Sequence, residues 1–290
     1  MTSVVNFAAM KLTLLVACLA LASLAAAQTR ELTAMTFNIR YANPGDGDNR
    51  WDLRKAHLAS VIRFHAADAV GMQEALIGQI RDLESLLPGY AWVGKGRDDG
   101  AERGEFSPIF YNPNRLKLLE TQTFWLSPTP ETPGKAWDAN LPRIVTWAKF
   151  QPVRGKAFYW FNTHFDHQGQ EARRQSARLL LQKIAEIAGK TPVVVTGDFN
   201  AQPTDEPIRI LTDAGDPHHL LDTQALSQTP HFGPAGTFNG FGPKETADQP
   251  IDFIFVKNGP TVRQHATLSP TWAGRFASDH HAVLAKIELR

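Results

Sequence analysis

Cysteine is nearly missing from this chain of 290 residues, which contains a single one, Cys18. One thiol cannot close an internal disulfide, and it cannot supply the several thiolates of a structural zinc site. Folds that depend on disulfides or on zinc-thiolate centres are therefore excluded. The chain must be held together by a hydrophobic core, and its 43% of hydrophobic residues are sufficient for one.

The first 27 residues lack acidic side chains and contain one basic residue, Lys11. An apolar run over 12–24 follows, and three alanines at 25–27 end it. A basic start, an apolar middle and small residues at the end are typical of a secretory signal peptide. We expect cleavage after residue 27, which removes Cys18 and with it any thiolate chemistry. The mature domain is then 28–290, and the protein is exported, either to the periplasm or into the medium.

Two other interpretations of the leader are weaker. The stretch Leu15-Val16-Ala17-Cys18 resembles a lipoprotein cleavage box, which would leave a lipid anchor on Cys18. The apolar region before this cysteine is short, however, and the stretch after it stays apolar, unlike a lipoprotein leader. A membrane span is also disfavoured, because a bilayer needs about 20 apolar residues.

The mature chain has no surplus of charge of either sign. Without the leader it contains 29 basic and 29 acidic side chains. Proteins that bind nucleic acid tightly usually carry a basic surplus, because phosphate neutralisation supplies most of the non-specific affinity. Processive nucleic-acid binding is therefore disfavoured, although a local basic cleft is not excluded. The length is near the upper limit for one hydrophobic core, and no repeat or linker interrupts it, so we expect one domain that acts as a monomer.

The hydrophobic pattern alternates between short strands and a few helices. It predicts helices over 52–64, with Asp52 as the N-cap, over 77–87 and over 171–188. Strands are predicted over 31–38, 69–72, 90–93, 108–112, 116–126, 144–151, 157–162, 193–196, 251–256 and 281–289. Strands with hairpin-sized gaps and few helices between them indicate α/β layers with mixed or largely antiparallel sheets, rather than a doubly wound parallel sheet.

Acids, amides and histidines follow the predicted strands directly. Carboxylates at the ends of core strands lose hydration unless they are paired or bind a cation. Oxygen ligands accompanied by few histidines favour Mg²⁺ or Mn²⁺ over zinc. The residues concerned are Asn38, Glu74, His164, Asp166, Asp198, Asn200, Asp252, Asp279 and His280.

Six short stretches that contain these residues resemble, in the same order, motifs of the endonuclease/exonuclease/phosphatase superfamily, whose members include the DNase I-like enzymes. They are TFNIR (36–40), GMQE (71–74), THFDH (163–167), GDFNAQP (197–203), IDFIF (251–255) and SDHHAV (278–283). One such stretch would be a weak signal, but six in order are highly specific. The resemblance implies a four-layered α/β sandwich, in which two packed mixed sheets, largely antiparallel, have helices outside and the motif residues at one edge.

The resemblance also implies a divalent metal site. Glu74 matches the metal-ligating glutamate of the superfamily, Asn38 a second metal or phosphate contact, and Asp279 the acid beside the metal. The expected cofactor is Mg²⁺ or Mn²⁺, as one ion or two. The alternative for Glu74 is a strand-end acid held by a backbone N–H group.

Four further residues match the catalytic positions of the superfamily. Asp198 matches the aspartate that orients or deprotonates the attacking water, and Asn200 the asparagine that holds the phosphate. His280 matches a catalytic histidine, and Asp252 the carboxylate that orients it. Taken alone, GDFN also fits an ordinary turn, since Asp and Asn both favour turns.

A second catalytic histidine is implied at His164, with Glu105 as its carboxylate partner and Arg143 as a phosphate-binding arginine. A guanidinium fork suits phosphate oxygens, so the role of Arg143 is physically sensible. The assignment of Glu105 leaves an alternative open, because Glu102 lies nearby and both could be surface acids. Arg143 could likewise be a solvated arginine at the start of a strand.

The predicted activity is therefore phosphoester hydrolysis, of the phosphodiesterase or nuclease type, through a metal-polarised phosphate and an activated water. The substrate is expected to be a nucleic acid, a nucleotide, a phospholipid or a sugar phosphate. Alternatives are a small-substrate phosphatase, a sphingomyelinase-like lipid phosphodiesterase and a non-catalytic binding relative. The last should have lost some of the motif residues, and none is missing. A glycosidase using Glu74 and Glu105 as paired carboxylates would leave the asparagines and histidines unexplained.

Overall fold

The computed structural model describes residues 31–242 and 248–289. The predicted leader, its cleavage site and Cys18 lie outside the described residues. Within those ranges, no helix is long and apolar enough to cross a membrane.

Strands and helices alternate along the chain much as the hydrophobic pattern predicts. The strands are β1 (Glu31–Asn38), β2 (Ala69–Gln73), β3 (Ala91–Val93), β4 (Ile109–Tyr111), β5 (Leu116–Trp125), β6 (Ile144–Pro152), β7 (Phe158–His164), β8 (Val193–Asp198), β9 (Leu221–Asp222), β10 (Asp252–Lys257), β11 (Thr261–Leu268), β12 (Thr271–Trp272), β13 (Arg275–Phe276) and β14 (Ala282–Glu288). The helices are α1 (Trp51–Phe64), α2 (Ile77–Leu86), α3 (Gln170–Ala188), α4 (Glu206–Thr212) and α5 (Thr223–Leu226), with a 3-10 helix over Pro44–Asn49.

Two six-stranded sheets form the centre of the molecule. The first has the order β11-β14-β1-β2-β4-β3, and the second has the order β5-β6-β7-β8-β10-β9. In each sheet one neighbouring pair is parallel, β1 with β2 and β7 with β8, and the other pairs are antiparallel. The expected mixed, largely antiparallel sheets are therefore confirmed.

Three hydrophobic clusters separate four layers. Between the sheets, residues such as Ala34, Trp160 and Ile254 pack face to face. Helices α1 and α2 cover the outer face of the first sheet, where Leu58 is fully buried. Helices α3 and α4 cover the outer face of the second sheet through side chains such as Leu180. Burial on both faces explains the continuous apolar strands, and the four-layered α/β sandwich is confirmed.

A polar network crosses the otherwise apolar layer between the sheets. Nε2 of Gln73 donates to Oδ1 of Asn162 at 2.7 Å, and Oγ1 of Thr196 donates to the same oxygen at 3.0 Å. Gly71 makes room for this network, because a Cβ there would lie 2.1 Å from Oγ1 of Thr196 and 2.4 Å from Oδ1 of Asn162. The network ties β2 to β7 and β8 and so fixes the register of one sheet against the other.

The structure corrects several local predictions. Helix α1 begins at Trp51 with Arg50 at the cap position, so Asp52 is not the N-cap. Strand β11 and helix α4 were not predicted. Strand β11 lies at the edge of its sheet and is largely polar, which hides the strand pattern in the sequence. Helix α4 has seven residues, too few for a clear helical period.

Candidate active site

The predicted site residues of the second sheet meet at one edge. Arg143 directly precedes β6, His164 ends β7, Asp198 ends β8 and Asp252 begins β10. Strands β7 and β8 are parallel, and each is antiparallel to its outer neighbour. Two strand ends and two strand starts therefore lie side by side, with Asp198 paired in register with both His164 and Asp252.

The first sheet contributes its residues at the same end of the sandwich. Asn38 ends β1, Glu74 directly follows β2, and Asp279 and His280 lie just before β14. Because β1 and β2 are parallel and β14 runs antiparallel to β1, these positions share one edge. The topology thus brings together these eight residues, which are widely separated in the sequence between Asn38 and His280.

Asn38 joins the two sheets across the site. Its Nδ2 group donates to Oε1 of Glu74 at 3.1 Å and to Oδ2 of Asp198 at 2.9 Å. Its Oδ1 accepts a hydrogen bond from the backbone N–H of Arg40 at 3.0 Å. Both N–H groups of Asn38 are therefore committed to carboxylates and its oxygen to the backbone, which does not suit direct binding of a cation.

Asp198, Asp252 and His280 form a buried triad. Nδ1 of His280 lies 2.8 Å from Oδ2 of Asp252, and Nε2 of His280 lies 3.7 Å from Oδ2 of Asp198. Although burial opposes it, the charges of Asp252 and Asp198 hold the pKa of His280 well above its usual range. Burial, together with the nearby charge of Asp252, raises the pKa of Asp198 to about 7. The triad therefore combines a protonated imidazole with a carboxylate that titrates near neutrality.

The carboxylates of the site suit a hard divalent cation. Asp198, Asp252 and His280 have potential ligand atoms within 4.8 Å of one another. A protonated histidine cannot bind a metal ion, so the cation would be bound by carboxylate oxygens. Burial raises the pKa of Asp279, and the negative charge of Glu74 adds to that rise. Oδ1 of Asp252 is buried and has no hydrogen-bond partner within the described residues. Crowded carboxylates with an unused oxygen fit Mg²⁺ or Mn²⁺.

Arginine 40 partly offsets this negative charge. Its Nε lies 3.7 Å from Oδ2 of Asp279, and its guanidinium also binds Asp46 at 3.0 Å. Glu74 accepts a hydrogen bond from the backbone N–H of Tyr41 at 3.1 Å through Oε2. The backbone contact expected from a simple strand-end acid is therefore present, together with the contact to Asn38.

His164 sits in a different electrostatic environment from His280. Nδ2 of Asn200 donates to Nε2 of His164 at 3.0 Å, so the remaining proton of the ring is on Nδ1. Burial, with the positive charges of Arg143 and Arg97, lowers the pKa of His164 well below its usual range. The ring is therefore neutral with its one N–H group on Nδ1, and Oδ2 of Asp198 lies 3.5 Å from the unprotonated Nε2.

The predicted pairing of His164 with Glu105 is wrong. Both oxygens of Glu105 are bound by Arg97, whose Nη1 and Nη2 donate at 2.6 Å and 2.9 Å. Asn200 meanwhile occupies Nε2 of His164. A carboxylate prefers the fixed fork of an arginine to a neutral ring, because the ion pair adds charge to both hydrogen bonds.

Arg143 is buried rather than solvated, with 4% of its surface exposed. Its Nε donates to Oδ2 of Asp166 at 3.2 Å, and its Nη2 lies 2.9 Å from Nδ1 of His167. Asp166 also accepts hydrogen bonds from four backbone N–H groups and so organises the loop around it. Asp166 is therefore a structural member of the THFDH stretch, and Arg143 is held beside His164.

Three residues of the motifs adopt an unfavourable backbone conformation. Arg40, Glu74 and Asn200 adopt positive φ values of 55°, 62° and 46°. Non-glycine residues rarely occupy this region, and each such residue costs of order 1–3 kcal/mol. Each of the three belongs to one of the motifs, so the strain directs the polar side chains into the site.

Two site residues were not found from the sequence. Arg97 stands in a loop of mixed charges without a recognisable spacing. Arg54 lies on helix α1 and is 3% exposed. Its guanidinium donates to the carbonyl oxygens of Ile39, Arg40 and Ala277. Arg54 thereby ties the loop after β1 to the loop before β14, a long-range contact that has no local signal.

Comparison with known proteins agrees with this geometry. Residues 35–280 match the Endonuclease/Exonuclease/phosphatase family. Among solved structures, a member of that family from Bacteroides vulgatus is 40% identical, with a TM-score of 0.85 over 90% of this chain and 99% of that chain. The mannosyl-6-phosphatase of Bacteroides thetaiotaomicron is 35% identical, with a TM-score of 0.83 over 88% of this chain and 99% of that chain.

Curated relatives are more distant. An uncharacterized protein of Acanthamoeba polyphaga mimivirus is 30% identical over 160 residues, which are 52% of this chain and 59% of the viral protein. The chain thus matches little more than half the length of that relative.

Proposed function

We propose that this chain, which belongs to the Endonuclease/Exonuclease/phosphatase family, is an exported, divalent-metal-dependent hydrolase of small phosphoesters. Members of the family hydrolyse phosphoesters. The observation that supports the proposal is the pair of hydrogen bonds from Asn38 to Glu74 and to Asp198, which join a candidate cation ligand to a member of the triad. Export rests on the composition of the leader.

Asp198 is the proposed base that orients the attacking water. Its pKa near 7 allows it to accept a proton from that water at neutral pH. Its Oδ1 accepts a hydrogen bond from the backbone N–H of Asn200 at 2.9 Å, which leaves Oδ2 directed to the centre of the site. The protonated His280, oriented by Asp252, donates to a non-bridging phosphate oxygen as negative charge moves onto it.

Hydrogen-bond donors surround the place of the phosphate. The amide of Asn38 donates to Glu74 and Asp198, and that of Asn200 donates to His164 and to the carbonyl oxygen of Phe165. Each amide would therefore exchange one of these acceptors for a phosphate oxygen. Arg143 supplies positive charge beside them. Glu74 and Asp279 would hold Mg²⁺ or Mn²⁺. The cation, when bound, supplies a Lewis acid that polarises a phosphate oxygen. Charge on the phosphate is thus stabilised in two ways, by the cation and by the hydrogen-bond donors.

A sugar phosphate is the first substrate to test. The relative from Bacteroides thetaiotaomicron, similar over 88% of this chain, is a mannosyl-6-phosphatase. The zero net charge of the mature chain gives no electrostatic preference for a polyanion. Both observations favour the small-substrate alternative over a nuclease.

The test is hydrolysis of mannose 6-phosphate, p-nitrophenyl phosphate, bis(p-nitrophenyl) phosphate and DNA with Mg²⁺ or Mn²⁺. We expect turnover of the small esters, loss of turnover with EDTA, and its return when the cation is added back. Asp198→Asn should lower kcat by at least about 100-fold, because it removes the base.

Asp52→Asn is the matched control, since its carboxylate is 74% exposed and pairs with Lys55 on the surface of α1. This variant should keep the wild-type rate. Full activity of Asp198→Asn, or turnover that is indifferent to EDTA, would contradict the proposed mechanism. Turnover of DNA in preference to all three small esters would replace the small-substrate assignment with a nuclease.

A further inference from the structure

A second charged recess opens beside His164, on the side away from the triad. Its lining includes Arg97, Glu105, Ser107, Arg143 and His164. The space inside it is about 10 Å³, which is close to the room that one water molecule needs. The recess can therefore take a single oxygen atom of an anion, but not a nucleobase.

Arg97 is fixed in this recess and incompletely paired. Its fork binds both oxygens of Glu105, and its carbonyl oxygen accepts a hydrogen bond from Nε1 of Trp125 at 2.7 Å. The residue is 7% exposed. Its Nε is buried without a hydrogen-bond partner in residues 31–242 and 248–289, and the nearest acid, Asp98, lies 3.9 Å away.

Arg143 also has a buried N–H donor without a partner in the described ranges. Asp166 and His167 occupy its Nε and Nη2, but its Nη1 is buried and lacks a partner within the described chain. A buried donor of a charged group that is left unpaired costs more than a neutral one. Two buried arginines that line one small recess therefore each retain a donor without an acceptor among the described residues.

The charges around the recess favour the binding of an anion. Glu105 is committed to Arg97, and Asp166 is shared among Arg143 and four backbone N–H groups. The two arginines repel each other, and burial with the charge of Arg97 lowers the pKa of Arg143. An anion in the recess would relieve this repulsion.

We propose that Arg97 and Arg143 form a subsite for the third terminal oxygen of a phosphomonoester, and that Arg97 is thereby a specificity-determining residue. The inference rests on the proposed function. A phosphomonoester presents three non-bridging oxygens and a second negative charge, whereas a phosphodiester presents two such oxygens and one charge. The triad and Asn200 serve the oxygens that both esters share, and the arginine recess serves the oxygen that only the monoester has.

The experiment compares kcat/KM for p-nitrophenyl phosphate and bis(p-nitrophenyl) phosphate in the wild type and in Arg97→Gln. Loss of a charge-assisted hydrogen bond should lower kcat/KM for the monoester by about 10- to 100-fold. The value for the diester should change by less than about threefold. Equal losses on the two esters, or no loss on either, would overturn the assignment of Arg97.

A second variant serves as the control for misfolding, because Arg97→Gln leaves Glu105 without its partner. The double variant Arg97→Gln/Glu105→Gln removes both charges and should show the same change in the ratio of the two esters, with a wild-type melting temperature. Arg81→Gln is the matched control. Arg81 is 62% exposed and pairs with Glu102 on the surface, so both values of kcat/KM should stay unchanged.

Binding of inorganic phosphate, measured by calorimetry, separates this inference from the proposed function. We expect Arg97→Gln to weaken phosphate binding by about tenfold or more relative to the wild type. If the wild type binds phosphate through Arg97 but hydrolyses none of the esters, the proposed function fails and the subsite stands. If the wild type hydrolyses the esters but Arg97→Gln changes neither phosphate binding nor the ratio of the two kcat/KM values, the subsite is wrong and the proposed function stands.

Discussion

Asp252→Asn is the substitution that tests how the triad works. Asp252 touches neither the proposed water nor the phosphate, and it acts through Nδ1 of His280, 2.8 Å from its Oδ2. Asparagine has the same shape and can still accept that hydrogen bond, but it has no charge. The variant therefore removes the electrostatic support of the imidazolium and keeps the orientation of the ring.

The expected magnitude follows from the burial of the pair. The side chain of Asp252 is fully buried and that of His280 is 6% exposed, so solvent screens their interaction little. A hydrogen bond to a charged group contributes about 1.5–3 kcal/mol. At about 1.4 kcal/mol for each factor of ten, kcat should fall between about tenfold and about 100-fold.

The pH dependence gives the more specific result. Activity requires a protonated His280 and an ionised Asp198, and the charge of Asp252 raises the pKa of both groups. Removing that charge lowers both pKa values. Both limbs of the pH profile of kcat should therefore move to lower pH in Asp252→Asn.

The assay measures kcat against pH for the wild type, Asp252→Asn, His280→Gln and the double variant. Because Asp252 acts through His280, the double variant should be no slower than His280→Gln. Multiplied losses in the double variant, or a pH profile that does not move, would refute the reasoning.

Three further predictions concern other parts of the molecule. Gly71→Ala should lower the free energy of unfolding by at least about 1–3 kcal/mol in denaturant titrations, since its Cβ would lie 2.1 Å from Thr196; an unchanged midpoint would contradict this. Burial lowers the pKa of His265 to about 3, so its neutral ring stabilises the fold above the ordinary value of about 6.5, and that contribution declines as the pH falls towards 3. Between pH 7.5 and pH 5 the wild type should lose about 2 kcal/mol more than His265→Gln, and equal losses would be inconsistent with a buried neutral ring. His164→Gln keeps a neutral donor and should lower kcat by about tenfold or less, whereas His280→Gln should lower it by about 100-fold or more; similar kcat values would contradict the different charges of the two rings.

Much of the fold could be predicted because its signals are local. The strands β1 and β6 and the helix α3 are long, and their hydrophobic periods are clear. The end of a strand can also be read from the first polar residue after an apolar run, which located His164 and Asp198 to within the last strand residues. Family resemblance then supplied what periodicity cannot, namely that these ends meet at one edge.

The features that could not be predicted, such as the partners and the burial of charged residues, depend on contacts between distant parts of the chain. The partner of Glu105 is decided by which cation the loop before β4 brings to it, and that cation is Arg97 rather than His164. The burial of Arg54 depends on two loops that meet only in the folded chain. Neither residue type nor spacing contains this information, since an arginine in a loop is solvated in most proteins.

The two histidines of the site show why such contacts decide the chemistry. His280 is surrounded by Asp252 and Asp198 and is held protonated, whereas His164 lies beside Arg143 and Arg97 and is held neutral. Asp198 lies between the two rings, 3.7 Å from Nε2 of His280 and 3.5 Å from Nε2 of His164. Opposite environments give identical side chains different roles, so His280 can supply a positive charge to the phosphate while His164 can supply only a hydrogen bond. A second protonated histidine would have to share the recess with two arginines, and burial makes that repulsion costly. The neutral ring at His164 is therefore a consequence of the arginine pair, and the arginine pair is what allows the site to favour a doubly charged phosphate.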